Sequence, residues 1–188
     1  MTPSSGKPRS SNQCQWVSSC HQGALVATFR LVKEVLMDSF HLSGGCHCGD
    51  VRYSLTEPPL SVQHCHCSQC RKIFAALCAQ GAVINESALT LHGEDRLTAY
   101  ESSPGFRYFF CRNCGSHVLA KSSTDTKHIY FMPATLDDGA HPGHPPDKEA
   151  HTFVTSKAEW DHFNDHLPRF DSASPDEIST EMMRLSKD

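Results

Sequence analysis

Seven cysteines in three short clusters constrain the fold of this chain more than any other feature. Their spacings are C-x-C, C-x-C-x-x-C and C-x-x-C, and the members are Cys46 and Cys48, then Cys65, Cys67 and Cys70, then Cys111 and Cys114. Two cysteines this close can give both sulfur atoms to one metal ion, because the turn between them brings both side chains to the same side. The pattern therefore predicts a fold built around metal ions.

The number of thiols indicates how these ions are held. A structural zinc usually has four ligands in a tetrahedron, whereas a catalytic zinc has three protein ligands and one free position. Seven thiols divide into four plus three, which predicts two zinc ions per chain. The closed site would join two distant parts of the chain through Cys46, Cys48, Cys111 and Cys114. The open site would take its ligands from a single turn, through Cys65, Cys67 and Cys70.

Three other arrangements are compatible with the same spacings. A single zinc ribbon could use Cys67 and Cys70 together with Cys111 and Cys114. A histidine could instead supply a fourth ligand and close the second site, and the candidates are His47, His64 and His66. The cysteines could also form disulfide bonds.

Composition excludes several classes of protein. The 188 residues carry a formal net charge of -4, so no basic excess favours nucleic acid, and no segment reaches the ~20 apolar residues of a membrane span. Ten cysteines without a secretory signal favour a reducing compartment, where thiols bind metals, and hence a cytoplasmic location. A weaker alternative is organellar import directed by residues 1–36, because residues 1–33 contain basic residues and no acid.

The chain divides into an extension, one domain and a tail. Residues 1–41 form an N-terminal extension that begins with a polar segment predicted to be disordered and continues as an amphipathic helix over residues 22–37. Residues 42–170 hold the three clusters and form the predicted zinc domain. Residues 171–188 are a tail with a capping box that begins at Ser174 and a narrow apolar stripe.

Short alternating segments between the clusters predict a mainly β domain. Their apolar positions lie near residues 51–55, 89–91, 106–110, 118–120, 129–131 and 152–154. The apolar run Ile73 to Ile84 is predicted to be a buried strand because of its length. The sequence from Ser156 to Glu159 is a capping box that predicts a short helix carrying Trp160 and Phe163.

These motifs, in this order, resemble one known family. The matching segments are Gly45–Gly49, Cys65–Arg71, Phe110–Ser116, Leu136–Asp137, Ser156–Trp160 and Leu167–Phe170. They are similar to the glutathione-dependent formaldehyde-activating enzyme family, which also includes centromere protein V. The resemblance implies a zinc-stabilised fold of small antiparallel sheets, a β-tent, and with the capping boxes we expect short C-terminal helices. It also implies the same four-plus-three division of the cysteines.

The resemblance further implies an activity. A thiol bound to an open zinc is deprotonated, so glutathione held there would be a nucleophile for formaldehyde or a related small electrophile. This predicts a zinc-dependent carbon–sulfur lyase similar to S-(hydroxymethyl)glutathione synthase, with Cys65, Cys67 and Cys70 at the catalytic zinc. Arg71 and Arg107 are candidate partners for the carboxylates of glutathione. The expected partners are thus a small-molecule thiol and an electrophile, with neither nucleic acid nor a membrane. Alternatives are a non-catalytic zinc module of the centromere protein V type, or a related enzyme with another substrate.

Overall fold

A computed structural model describes residues 40–173 of the chain. Within them are eleven strands and one α-helix. The strands are β1 (Leu42–Gly45), β2 (Arg52–Leu55), β3 (Ser61–Cys65), β4 (Ala79–Asn85), β5 (Leu89–His92), β6 (Leu97–Ser103), β7 (Phe106–Cys111), β8 (His117–Ser122), β9 (His128–Phe131), β10 (Glu149–Thr152) and β11 (Arg169–Phe170). The helix is α1 (Ser68–Phe74), and short 3-10 turns occur at 86–88, 94–96, 133–135, 137–139, 146–148 and 154–156.

The strands form two sheets. One has three antiparallel strands in the order β1-β2-β5, and the other has eight in the order β11-β10-β3-β4-β9-β8-β7-β6. In the larger sheet β10 runs parallel to both β3 and β11, while the other pairs are antiparallel. The mainly β prediction is confirmed. The larger sheet is wider and more mixed than the small antiparallel sheets that the resemblance implies.

Alternation along the central strands gives the larger sheet two buried faces. On β4, Ala82 and Ile84 join a core shared with the three-stranded sheet, whereas Val83 lies in a second core. This second core also contains Phe106 and Tyr130, and the side chains of Ile73 and Phe74 from α1 pack against it. Successive side chains of a strand point to opposite faces, so one apolar run serves both cores. The second face carries the cavity described below.

Most of the predicted strands are present, with two differences. The strand predicted at residues 152–154 is instead Glu149–Thr152, because Phe153 has a φ of 56° and residues 154–156 form a 3-10 turn. The second difference lies in the run Ile73 to Ile84. Ile73 and Phe74 belong to α1, and the strand begins only at Ala79. The helix ends at Ala75, whose φ of 49° lies in the left-handed region. A left-handed residue terminates the helix, and the chain then turns into β4.

The predicted short C-terminal helix after Ser156 is wrong. Residues 154–156 form a single 3-10 turn, and residues 157–168 contain no helix. Phe163 lies 4.5 Å from the ring of His151, and Lys157 Nζ donates to the Asp161 carbonyl at 2.9 Å. These contacts stabilise an irregular segment, so tertiary packing outweighs the local capping signal.

Some predictions fall outside the described residues. They are the disordered segment and helix before residue 38, and the weak helix from Ser174 onward. The boundaries of the extension, the domain and the tail therefore stay predictions. Within residues 40–173, no helix is long and apolar enough to cross a membrane.

Candidate metal centres and the adjoining cavity

The closed cluster joins the two sheets. Cys46 and Cys48 lie in the turn between β1 and β2, whereas Cys111 ends β7 and Cys114 follows it. All four sulfur atoms lie within 4.8 Å of one another. The Sγ atoms of Cys46 and Cys48 are 3.5 Å apart, and those of Cys48 and Cys111 are 3.7 Å apart. A Zn–S bond of about 2.3 Å places tetrahedral sulfurs about 3.8 Å apart, so this set fits a zinc ion.

Glycines allow both turns of this cluster to close tightly. Gly49 and Gly115 have φ values of 84° and 76°, a region that side-chain-bearing residues rarely adopt. Gly49 donates its backbone N–H to the Cys46 carbonyl at 3.1 Å, and Gly115 donates to the Cys111 carbonyl at 2.8 Å. The backbone N–H of Val51 also donates to Cys46 Sγ at 3.2 Å. Such N–H groups stabilise a thiolate and orient it toward a metal.

The open cluster is built at the junction of β3 and α1. Cys65 ends β3, Cys67 is the N-cap of α1, and Cys70 lies in the first turn of the helix. Their three sulfur atoms lie within 4.8 Å of one another. Hydrogen bonds from the thiols of Cys65 and Cys70, and from the Cys70 backbone N–H at 3.2 Å, lower the pKa of the Cys67 thiol. The same contacts raise the pKa of the Cys65 thiol, chiefly through Cys67, and that of the Cys70 thiol, chiefly through Cys65. The arrangement therefore favours one thiolate, at Cys67, the form that binds zinc.

A cavity of about 290 Å³ lies against the open cluster. Its walls include the side chains of Phe74, Phe106, Tyr108, Tyr130, Met132 and Phe153. The polar side chains of Gln63, Ser68, Gln69, Gln80, Ser102 and Ser156 complete the lining, together with small residues and the three thiols. Among the described residues, no carboxylate, ammonium or guanidinium group lines this space. The three thiols thus face a small and largely uncharged chamber, near the lower end of the size range of ligand pockets.

Tyr108 connects the cavity wall to the open cluster. Its hydroxyl oxygen lies 3.7 Å from Cys70 Sγ, and its side chain is buried. Burial, followed by the nearby Cys70 sulfur, raises the pKa of Tyr108 well above its usual value of 10. The phenol therefore keeps its proton at neutral pH and can act as a hydrogen-bond donor beside the sulfurs.

The histidines near the open cluster contact carboxylates and another histidine rather than the sulfur atoms. His64 Nε2 lies 2.8 Å from Glu149 Oε1. His66 Nε2 lies 2.8 Å from His151 Nδ1, and its Nδ1 is 2.9 Å from Asp161 Oδ2, although that pair lacks hydrogen-bond geometry. Burial lowers the pKa of His66. In the described part of the chain no histidine nitrogen joins either sulfur cluster.

The structure also bears on the two remaining alternatives, the single zinc ribbon and the disulfide bonds. Cys111 and Cys114 group with Cys46 and Cys48, which is not the pairing of a single ribbon with Cys67 and Cys70. The eight cysteines among residues 40–173 are free thiols. One of them is Cys78, which lies outside both clusters and is half-buried.

The two predicted cations lie in different places. Arg71 is on α1, and its guanidinium donates to the carbonyl of Ser156, a residue that lines the cavity, at 3.1 Å. Arg107 on β7 contacts Glu101 at 3.3 Å and follows Phe106, so its side chain leaves the opposite face of the strand from the cavity. Neither guanidinium lines the cavity, and only Arg71 is tethered to its wall.

Sequence reasoning missed the polar groups of the chamber. Gln63 and Tyr130 line it, as does Tyr108, and none was a predicted site residue. One signal was available: Gln63 precedes Cys65 by two positions on a strand, which places both side chains on the same face. Tyr130 comes from β9, and its proximity depends on a strand order that the sequence does not reveal.

A family profile and a curated relative identify the family of this chain. Residues 41–156 match the profile of a family described as glutathione-dependent formaldehyde-activating enzyme. A relative from Halomonas elongata, provisionally named as such an enzyme, is 29% identical over 130 residues, 63% of this chain and 78% of the relative. A crystal structure of a Rhodobacter sphaeroides protein is 27% identical with a TM-score of 0.43, covering 53% of this chain and 91% of that one. The profile match contains both cysteine clusters and every residue of the cavity.

Proposed function

Because the chain belongs to the glutathione-dependent formaldehyde-activating enzyme family, we propose that it is a zinc-dependent enzyme that joins the thiol of glutathione to formaldehyde or a related small electrophile. The reaction forms a carbon–sulfur bond, and its reverse is a carbon–sulfur lyase reaction. The observation that carries the proposal is the position of the three-thiol cluster, which opens onto a chamber for a small molecule.

The two cysteine sets take different roles in this proposal. Cys46, Cys48, Cys111 and Cys114 hold a structural zinc, and Cys65, Cys67 and Cys70 hold the zinc at which the reaction occurs. A zinc ion with three protein ligands and a free position supplies positive charge that keeps an added thiol deprotonated. The donor set supports this division, because the four-sulfur set is complete while the three-sulfur set lacks a fourth ligand among the described residues.

The cavity residues support the reaction in two ways. The aromatic and apolar walls keep water from the reacting sulfur, which strengthens every polar interaction inside the chamber. The uncharged lining favours a neutral electrophile such as a small aldehyde over a charged one. Both substrates are thereby held close together, which removes much of the entropic barrier to their combination.

The charged ends of glutathione lie outside the chamber in this proposal. A carboxylate would lose its hydration inside an uncharged cavity without gaining a partner. Arg71 is the favoured cation for one carboxylate at the entrance, since it already contacts Ser156 on the cavity wall. Arg107 is the second proposed contact, although its ion pair with Glu101 and its direction along β7 favour it less.

The test is the rate at which formaldehyde, glutathione and their adduct exchange, measured by NMR with zinc-loaded protein. Spontaneous addition gives the background rate. We expect acceleration by the wild type and none by Cys67→Ser. Cys78→Ser is the matched control, because it removes a half-buried thiol outside both clusters and should leave the rate unchanged.

Absence of acceleration by wild-type protein with two zinc ions per chain would contradict the proposed reaction. That outcome would favour the non-catalytic binding module, which requires the same zinc sites but no turnover. Acceleration of thiol addition to another aldehyde, without any for formaldehyde, would instead identify a different substrate for the same site.

A further inference from the structure

Two buried polar side chains in the cavity lack partners. Gln63 is 3% exposed and Tyr130 is 5% exposed. Neither the Oε1 nor the Nε2 atom of Gln63, nor the hydroxyl of Tyr130, has a hydrogen-bond partner among the described residues. Buried polar groups are nearly always paired, and leaving one unpaired destabilises a protein. Both residues line the cavity. The two donors among these atoms, the Gln63 Nε2–H and the Tyr130 hydroxyl, indicate a ligand with a hydrogen-bond acceptor.

Gln63 and Tyr130 lie on the same face of the larger sheet as the open cluster. Gln63 and Cys65 are two residues apart on β3, so their side chains leave the same face and their Cα atoms are about 6.6 Å apart. Gln63 lies opposite Gly81 on β4. A Cβ atom at Gly81 would be 3.1 Å from Cδ1 of Tyr130, so the glycine lets the tyrosine ring lie close against β4. Gln63 and Tyr130 therefore flank Gly81 on the face that carries the thiol cluster.

The chemistry of these groups restricts the ligand. A carboxamide N–H and a phenol O–H both donate, and a carbonyl oxygen can accept both hydrogen bonds. Burial raises the pKa of Tyr130, so its hydroxyl keeps the proton that it donates. Apart from the three thiols, the described cavity lining carries no charged group, so the part of the cavity beside Gln63 and Tyr130 favours an uncharged molecule. A small uncharged molecule with a carbonyl group satisfies these conditions.

We propose that Gln63 and Tyr130 hold the carbonyl oxygen of a small uncharged aldehyde beside the sulfur cluster of Cys65, Cys67 and Cys70. This assignment rests on the proposed function and adds its second substrate site. The thiolate sulfur of glutathione attacks the carbonyl carbon of the aldehyde. The C–S bond forms, and the π electron pair of the C=O bond moves to the oxygen. The Gln63 and Tyr130 donors stabilise the negative charge that develops there. The oxygen finally takes up one proton, equal to the one lost by the thiol, so the reaction is a balanced addition.

The first test uses the stability of the free protein. Tyr130→Phe removes only an unpaired buried hydroxyl, so the variant should melt at least about 2 °C higher than the wild type. Tyr53→Phe is the matched control, because Tyr53 is equally buried but its hydroxyl contacts Thr135 at 2.8 Å. That control should melt lower. A lower melting temperature for Tyr130→Phe would show that its hydroxyl has a structural partner and would overturn the proposal.

The second test is steady-state kinetics of the zinc-loaded protein with glutathione and formaldehyde. Tyr130→Phe and Gln63→Leu should each lower kcat/KM for formaldehyde roughly 10- to 100-fold, since each removes one donor to the developing oxyanion. The KM for glutathione and the zinc content should stay at wild-type values, as should the kinetics of Tyr53→Phe. Unchanged kcat/KM for formaldehyde in both cavity variants would overturn the proposal and leave the proposed function intact.

A third measurement separates failure of this site from failure of the proposed function. If wild-type protein does not accelerate the addition, formamide serves as an unreactive carbonyl probe. Its titration should shift the side-chain NH2 signals of Gln63, identified by their loss in Gln63→Leu, and Tyr130→Phe should abolish that shift. Such a result supports the carbonyl site without any turnover. No shift in the wild type overturns it.

Discussion

Replacement of Cys111 by serine should destabilise the protein far more than replacement of Cys67. Cys111 is fully buried, and its cluster combines sulfurs from segments 63 residues apart. In an unfolded chain, bringing those sulfurs to one ion requires closure of that long loop, at an entropic cost of about 4 kcal/mol. The folded protein has no such cost. Zinc bound at this proposed site would therefore favour the folded state by about the same amount.

The open cluster gives a smaller effect by the same reasoning. Cys65 and Cys70 are five positions apart (70 − 65), so closing their loop costs only about 2 kcal/mol. An unfolded chain can still bind zinc through these three thiols, which reduces the stabilisation of the folded state. Cys111→Ser should thus lower the free energy of unfolding by up to about 4 kcal/mol, and Cys67→Ser by at most about 2 kcal/mol.

The assay is urea unfolding at fixed free zinc, followed by circular dichroism and repeated as a thermal melt. For 188 residues, 4 kcal/mol corresponds to a melting temperature about 8–16 °C lower. Cys78→Ser controls for the loss of a half-buried thiol and should change stability less than either variant. Equal losses for Cys111→Ser and Cys67→Ser would refute the assignment of the closed site as the one that holds the fold.

Three further predictions concern the core, pH and substrate binding. Phe131→Ala should lower the free energy of unfolding in urea by about 3–5 kcal/mol, because Phe131 is fully buried between the sheets, and a loss below 1 kcal/mol would contradict that packing. Burial lowers the pKa of His117 below 6.5, so folding favours its neutral form and its contribution to stability is lost as pH falls below 6.5. Between pH 7 and 5, the melting temperature of His117→Leu should therefore fall less than that of the wild type. Parallel curves of melting temperature against pH would refute this. Arg71→Ala should raise the KM for glutathione about 3- to 10-fold and Arg107→Ala less, whereas the reverse order would exclude the proposed entrance.

The cysteine grouping could be predicted because it depends on short-range chain geometry and ligand counting. Cysteines one or two residues apart must share a neighbourhood, so only the pairing of whole clusters was open. The structure places Cys46 and Cys48 with Cys111 and Cys114, as the count of seven thiols indicates. The β class could likewise be predicted from alternation, since period-2 patterns report directly which side chains are buried.

The C-terminal segment shows where local signals fail. A capping box at Ser156 predicts a helix, but Phe163 packs against two histidine rings, at 5.1 Å from His66 and 4.5 Å from His151. Asp161 is buried beside His66. The two contacts with His66 join residues 97 (163 − 66) and 95 (161 − 66) positions apart, and no local pattern contains them. The same reason explains why Gln63 and Tyr130 could not be predicted as cavity neighbours.

The parallel pairing of β3 with β10 has a consequence for synthesis of the chain. His64 and Glu149, which contact each other across this pair, are 85 residues apart. Synthesis proceeds at about 5–20 residues per second, so about 4–17 s pass between the synthesis of β3 with its adjoining thiols and that of β10. During that interval one edge of β3 has no neighbour, and the thiols of residues 65–70 are open to oxidants and to any soft metal ion. Oxidation of these thiols during that interval would remove the ligands of the proposed metal site before the C-terminal strand completes the sheet.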